Sequence, residues 1–486
     1  MVVSYREETF VVIELGSHTT KAIVDTTDIN KLPTVVLATR AGILKQENAG
    51  ASTPSVETKA AAGEHKETDE SAITPSSPKP KDEQMDIDVS DTVKIASSSA
   101  EILPSKEAIN MSALVDTQKD NSASSAKEGD QDGNEVSYAF GSALEAASND
   151  MLESTIDIIV DGFVKDWDAL SAFLRYLITK ELGIRISSNI SPIMFSVPPL
   201  WPKTDLESLT QIAFEHLNAP TIVISEQPLA AIYGNGEVTG LVVDFGHAMT
   251  TITPIVDSCI QSSAIVQTPV SGAAVTKYLH RILQGDITVS SQFESGQVPI
   301  EFADALKESG LCRLQISPGN MEEDNGGASA EPPIFEFDGK KYKLNRTILH
   351  QTPEILVNPT EPGAMRLTSL MQQAVLSCDP DKRAALWEHI HIVGGSSRFA
   401  GLKEYVQSEL ETTVLPTSNI FAISQTREIK FASLPEYFVG WRNHDHWAGF
   451  LGACIMAKIV MNDTKHNISK TEYNDSGPSI VHTKSS

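Results

Sequence analysis

Two stretches of this sequence place a carboxylate at the end of an apolar run, two residues before a glycine. The first is Gly240-Leu241-Val242-Val243-Asp244-Phe245-Gly246-His247-Ala248-Met249-Thr250-Thr251-Ile252. Leu241 to Val243 read as a buried strand, Gly246 opens a turn, and β-branched Thr250, Thr251 and Ile252 resume extended structure. An acid at that position can hold a hydrated divalent cation while backbone N–H groups of the turn face a phosphate. Taken alone, the stretch fits an ordinary hairpin with a turn aspartate better than a phosphate site. Phe10 to Val24 repeats the plan, with Glu14 as the acid, Gly16 at the turn and Thr19 to Val24 as the return strand. Two such hairpins facing each other would grip a polyphosphate between them.

Elements able to hold these hairpins follow along the chain. Residues 1–44 supply the first hairpin and the start of another strand pair. Ile156 to Val160 is predicted as a strand, and Asp161-Gly162 as a turn. Asp166 to Leu182 is predicted as a helix, with Trp167, Leu170, Phe173, Leu174 and Leu177 on one face and Asp166 or Asp168 as its cap. Lys203 to Leu217 reads as a helix, Thr221 to Ser225 as a buried strand, and Gln227 to Tyr233 as a helix. Further on, Gly272 opens a helix, and Glu301 to Cys312 is helical until Gly310. Phe335 to Asn345 is a hairpin about Asp338-Gly339. Leu367 to Ser377 is a helix, Glu388 to Val393 a strand feeding Gly394-Gly395, Gly401 to Glu411 a helix, and Trp447 to Met461 another.

Between about Leu44 and Asn134 the composition shifts to Ser, Thr, Glu, Asp, Lys, Ala and Pro with few aromatics. Such a segment buries too little apolar surface to offset its ordering entropy, so 45–134 is expected to be a disordered acidic insertion. Thr53-Pro54, Thr74-Pro75 and Ser77-Pro78 within it fit phosphorylation sites or unmodified linker. Asn320 to Pro333 is a second low-complexity loop. The chain has 486 residues and a formal net charge of −26, which disfavours binding to a phosphate backbone and favours basic partners. Its four cysteines are far apart and form no metal-type pair, so reduced, buried thiols are expected. His444 and His446 flank Asp445, a pair better suited to a polar surface loop than to a metal. With no secretory signal and no apolar run long enough to span a bilayer, the expectation is an intracellular soluble protein.

The two hairpins resemble the phosphate clamp of the actin, sugar-kinase and heat-shock-chaperone ATPase superfamily. Other stretches narrow the resemblance to actin. Ile468-Ser-Lys-Thr-Glu-Tyr473 through His482 is similar to an actin C-terminus. Trp387 to Gly401, with Gly394-Gly395-Ser396, resembles the glycine loop on actin's adenosine side. Ser191 to Pro220 resembles a strand, proline turn and helix of its first domain. The sequence is therefore identified as an actin-related protein: an α/β, two-domain actin-like fold. Its first domain would take 1–44 and 135–236, completed by 446–486, and its second 237–445.

By that resemblance, Lys21 is the phosphate-reaching lysine and Gln227 the water-positioning glutamine. Glu14, Gly16, Ser17, Asp244, Gly246 and Thr250 would surround the phosphates. Lys307, Glu308, Gly394, Gly395 and Ser396 would meet the nucleoside, and Gly272, at a glycine turn before a helix, would join the nucleotide site. Against this, Glu14 replaces an Asp, and His18 replaces a turn glycine that would need φ > 0. Phe245 replaces a small hydroxyl residue and adds bulk, His247 replaces a second Asp, and Ala248 replaces a glycine. Loss of a carboxylate and two turn glycines should remove most phosphoryl-transfer catalysis. Gln227 and Asp244 then remain as relics, with ATP bound weakly or not at all and Mg²⁺ only with nucleotide. A less favoured alternative keeps Glu14 and Asp244 on a metal, with His247 as base.

Within the family the chain looks most like the divergent nuclear class typified by actin-related protein nine of fungal SWI/SNF and RSC remodellers. The degenerate first loop, the insertion, and Leu434 to Trp441 before the last helices carry that likeness. It implies a nuclear, non-catalytic subunit bound to a basic helical segment of the remodeller ATPase, beside a second actin-like subunit and other members of the complex. Neither sequence-specific DNA binding nor membrane association is expected. The rival readings are a working actin-like ATPase of a cytoskeletal complex, and an actin-related subunit of a histone acetyltransferase complex.

Overall fold

The computed structural model describes residues 5–45, 136–148, 151–315, 332–415 and 428–484. All of them fall within one compact unit, 1–45 with 111–486. The expected disordered insertion lies outside the described residues apart from Lys45, as does most of the loop expected at 320–333.

Each acid-bearing hairpin starts a sheet. Val11–Glu14 pairs antiparallel with Thr19–Val24 and parallel with Ile193–Val197. Gly240–Phe245 pairs antiparallel with Thr250–Val256 and parallel with Ile390–Val393. Thr221–Glu226, Ile468–Ser469 and Val35–Ala38 complete the first sheet, and Cys259–Ile260 and Val266–Thr268 the second. The same local plan thus occurs twice in an α/β architecture.

Both inner strands are covered on two faces, which is why they read as continuous apolar runs and not as alternation. Val11 and Ile13 face a core with Leu170, Phe173 and Phe195, while Phe10 and Val12 face another with Phe450 and Leu451. Leu241, Val243 and Phe245 enter a third core with Leu279, Phe302 and Met371, while Val242 joins Phe10 and Val12. Side chains on a strand point alternately to its two sides, so each strand feeds two cores. Full burial of such a side chain contributes about 1.5–3 kcal/mol, enough to fix the register of both hairpins.

The shared core is built around two helices, Gln227–Gly234 and Ala448–Val460. They pack backbone to backbone: a Cβ at Gly234 would run into the Ala448 carbonyl, and one at Gly452 into that of Ala230. Asp166 caps the helix Trp167–Tyr176, accepting from the Ala169 N–H at 2.9 Å. That helix continues into a wider π turn, Leu177–Glu181. Ser469 and Glu472 form a capping box on the helix Lys470–Ser476, and the Tyr473 hydroxyl donates to Glu215 at 2.6 Å.

Three expectations need correction. The strand expected at Ile156–Val160 splits into Leu152–Asp157 and Ile159–Val160, because buried Ile158 turns out of line between them. Glu388 closes a helix, Arg383–Glu388, and the strand begins only at Ile390. Cys259 is exposed, whereas Cys312, Cys378 and Cys454 are buried. The helix Arg346–Glu354, capped by Asn345, was not anticipated.

Candidate functional site

The two hairpin turns, the start of the helix Gln227–Gly234, the glycine turn after Ile390–Val393 and the end of the helix Ile300–Glu308 enclose a cavity of about 500 Å³. Glu14, Gly16, Ser17, Lys21, Gln227, Asp244, Gly246, Lys307, Glu308, Gly394, Gly395 and Ser396 all line it. Residues far apart in sequence are therefore brought to one cleft.

Glycine at the turns has a shared steric reason. A Cβ at Gly16 would lie 2.5 Å from the Thr19 carbonyl, and one at Gly246 would lie 2.7 Å from that of Met249. Gly394 adopts φ +90°, and a Cβ there would meet the Phe245 carbonyl at 2.6 Å and the Asp244 carboxylate. The Gly394 N–H donates to the His446 carbonyl at 3.1 Å.

The two acids differ. Glu14 stands directly across the strand pair from Lys21 and forms an ion pair with it. Asp244 stands opposite Thr251, which offers no charge. Burial, reinforced by the negative charge of Glu14 and only partly offset by Lys21, pushes the Asp244 carboxyl up to about 6. The Lys21 ammonium also lies 5.8 Å from the centroid of the Trp447 ring.

Between the turns sit two imidazoles. His18 and His247 pack against each other at a tilt, with ring centroids 4.4 Å apart and planes inclined by 30°. Burial lowers the pKa of both, that of His247 to about 4. The Ala248 N–H donates to the Ser17 hydroxyl at 3.3 Å, joining one turn to the other. His18 does not adopt the positive φ expected of a residue in a glycine position, so its accommodation costs no left-handed backbone. Phe245 does not crowd the cleft either: strand alternation sends it wholly into the core of the second sheet.

Other side chains expected to face a nucleotide are engaged elsewhere. Gln227 Nε2 donates to the Leu15 carbonyl at 2.7 Å. Lys307 Nζ donates to Asp304 Oδ1 at 2.6 Å and Thr276 Oγ1 at 2.8 Å. Burial would raise the pKa of Asp304, but the hydrogen bond and charge of Lys307 hold it below the usual range. Thr250 is buried and donates to the Val270 carbonyl at 2.6 Å. Gly272 is a packing glycine behind the turn: its N–H donates to the Gly246 carbonyl at 3.0 Å, and a Cβ would lie 2.7 Å from Ser396 Oγ. Thr250 and Gly272 thus support the cleft and do not line it.

Sequence reading missed Asp304, Arg398, Trp447 and the placement of His446. His446 was expected on the surface, yet it lines the cleft, and burial lowers its pKa to about 3. The available signal was position, since His446 and Trp447 directly precede the helix Ala448–Val460, and Gly449 on its first turn lets the helix approach Glu14. Among the described residues, no group of three or more His, Cys, Asp or Glu is arranged to hold a metal ion, and no helix is long and apolar enough to cross a membrane.

Comparison with known proteins agrees with this architecture. Bovine actin-like protein 9 is 27% identical over 348 residues, covering 70% of this chain and 76% of its own length. Actin-related protein 7 of Oryza sativa subsp. indica is 27% identical over 338 residues, covering 69% of this chain and 87% of its own. Human actin-like protein 9 is 27% identical over 326 residues, covering 66% and 72%. The family model described as actin matches residues 6–486, so the chain belongs to the actin family, as one of its actin-related proteins.

Proposed function

We propose that this chain is a non-catalytic actin-related subunit of a nuclear chromatin-remodelling complex of the SWI/SNF and RSC type. In this reading it binds a basic helical segment of the motor ATPase beside a second actin-like subunit. The observation that carries the non-catalytic part is the packed His18–His247 pair between the two turns. A magnesium triphosphate needs oxygen ligands, free cationic charge and bare backbone N–H groups there. Instead the turns present two aromatic rings, and Lys21 is neutralised within its own hairpin by Glu14. The residues therefore do not fit that group.

The partner class rests on charge and on the surface of the segment Leu434 to Trp441. A net charge of −26 suits a Lys/Arg-rich helix. The segment is anchored by Trp441, fully buried, whose Nε1 donates to the Ile29 carbonyl at 2.8 Å. Tyr437 and Val439 beside it are 68% and 58% exposed. We assign these two side chains as apolar contacts for the incoming helix.

The test measures nucleotide content and turnover of the purified full chain, together with its affinity for a basic remodeller helix. Absent turnover with helix binding that weakens about tenfold in Tyr437→Ala is the expected result. Turnover abolished by Asp244→Ala and Gln227→Ala would replace this reading with a working ATPase.

A further inference from the structure

We propose that His18 and His247 form an internal clasp that holds the two hairpins together across the cleft, in the place where a polyphosphate would otherwise bridge them. This inference rests on reading the cleft as non-catalytic, and it adds what keeps such a cleft closed.

The geometry is that of a built contact. The rings come from turns belonging to different sheets and meet at a tilt of 30° with centroids 4.4 Å apart. Each histidine is pinned from behind by a backbone hydrogen bond: the Thr39 N–H donates to the His18 carbonyl at 2.8 Å, and the Ala273 N–H to the His247 carbonyl at 2.8 Å. The Ser17–Ala248 hydrogen bond adds a second link between the same turns. These bonds fix the backbone of both turns, so little main-chain freedom is lost when the rings meet.

The surroundings leave the rings uncharged. Arg40 faces both rings from one side, and Asp304 and Lys307 face both from the helix Ile300–Glu308, with Glu308 also facing His18. The helix start at Gly272 and Ala273 carries no charged side chain, and its partial positive end also favours the neutral imidazole. Around His18 the acids and cations offset each other, around His247 Lys307 and Arg40 outweigh Asp304, and for both rings enclosure favours the neutral imidazole. An uncharged ring pair needs no counter-ion, whereas a polyphosphate in the same gap would need a cation and donors. One protonated ring can still pack on a neutral one, but two protonated rings repel. The clasp therefore needs no nucleotide, and it is broken by protonation of both rings.

Hydrogen exchange of the full chain at Ser17 to Thr19 and Gly246 to Met249, with and without magnesium ATP, tests the clasp. Wild type should be protected in both conditions. The double variant His18→Ala with His247→Ala should exchange about two- to tenfold faster, the span that an aromatic pair supplies. His18→Phe with His247→Phe should retain protection, because ring packing survives without titration. His18→Gly with His247→Asp should lose protection and regain it with magnesium ATP. Wild-type exchange in the alanine pair would overturn the clasp while leaving the non-catalytic reading intact. Turnover by the wild-type chain would overturn that reading instead, in a separate assay. If the alanine pair does not fold, the phenylalanine pair decides: wild-type protection supports the clasp, and faster exchange defeats it.

Discussion

The first and second hairpins share a plan and differ in how each treats its acid. In both, an inner strand pairs antiparallel with its return strand and parallel with a later one. Both turns need glycine two residues after the acid because a carbonyl lies in the way of any Cβ. Yet Glu14 faces Lys21 across its own strand pair, while Asp244 faces Thr251. The extra methylene lets Glu14 reach that lysine, so the first hairpin is electrostatically closed on itself. The second keeps a buried carboxyl without a direct cation. Two copies of one backbone motif can therefore carry opposite electrostatics through a single cross-strand neighbour.

The most damaging way to break the comparison is at the glycine turn packed against the second hairpin's acid. Gly394→Ala combines a left-handed φ of +90° with a carbonyl 2.6 Å from the new Cβ. Strain and overpacking together should cost about 2–5 kcal/mol, read as a lowered urea midpoint with an unchanged slope. A loss below about 1 kcal/mol would mean that the turn shifts freely.

Next in size is a pair of changes with opposite signs. Glu14→Gln leaves the largely buried Lys21 charge without its partner and should destabilise the chain by about 1–3 kcal/mol. Asp244→Asn removes a carboxylate that burial and Glu14 both disfavour, and should stabilise it at pH 7 by about 1–3 kcal/mol. Thermal melts of the two variants at one pH check the contrast. Equal signs would erase the difference between the hairpins.

The pH dependence sharpens the same point. Asp244 has its pKa raised from 3.8 to about 6, so its contribution is fully present below 3.8 and is lost as pH rises through 6. His247, His446 and His391 have theirs lowered by burial from 6.5 to about 4, 3 and 3. Their contribution is present above 6.5 and lost as pH falls toward those values. His18, its pKa also lowered by burial, acts in the same direction, so four histidines oppose Asp244 and stability should fall as pH drops below about 6.5. Asp244→Asn should steepen that fall, and His391→Gln should flatten it. A melting temperature independent of pH between 6.5 and 4.5 would sink the assignment of buried neutral histidines.

Much of the fold was legible because it rests on local pattern. Continuous apolar runs ending in an acid, glycine at a steric pinch and an Asp cap are all readable from residue type and spacing. The placement of both hairpins, the helix that starts at Gln227 and the glycine turn at Gly394 followed from such signals. What was not legible depends on partners distant in sequence. Nothing near His18 announces that its ring meets His247, or that Phe245 turns away from the cleft. His446 looked like a surface residue because its environment comes from Lys21 and Arg398, hundreds and tens of residues away. The engagement of Gln227 with Leu15, and of Lys307 with Asp304, likewise needed three dimensions.

The smallest expected effect separates the hydrogen-bonded link between the turns from the one made by the rings. Ser17→Ala removes the acceptor of the Ala248 N–H, a bond of 3.3 Å in a half-buried position. A neutral hydrogen bond contributes about 0.5–1.5 kcal/mol, and one at the long end of the range should sit at the low side of that span. The freed N–H borders the cavity and can find water, so no full desolvation penalty follows. The packed rings remain and should keep the turns in register. Ser17→Ala should thus change the exchange rate of Ala248 alone, by about two- to threefold, and leave that of Gly246 untouched. Faster exchange across the whole second turn would show that the hydroxyl, and not the imidazole pair, is what joins the two hairpins.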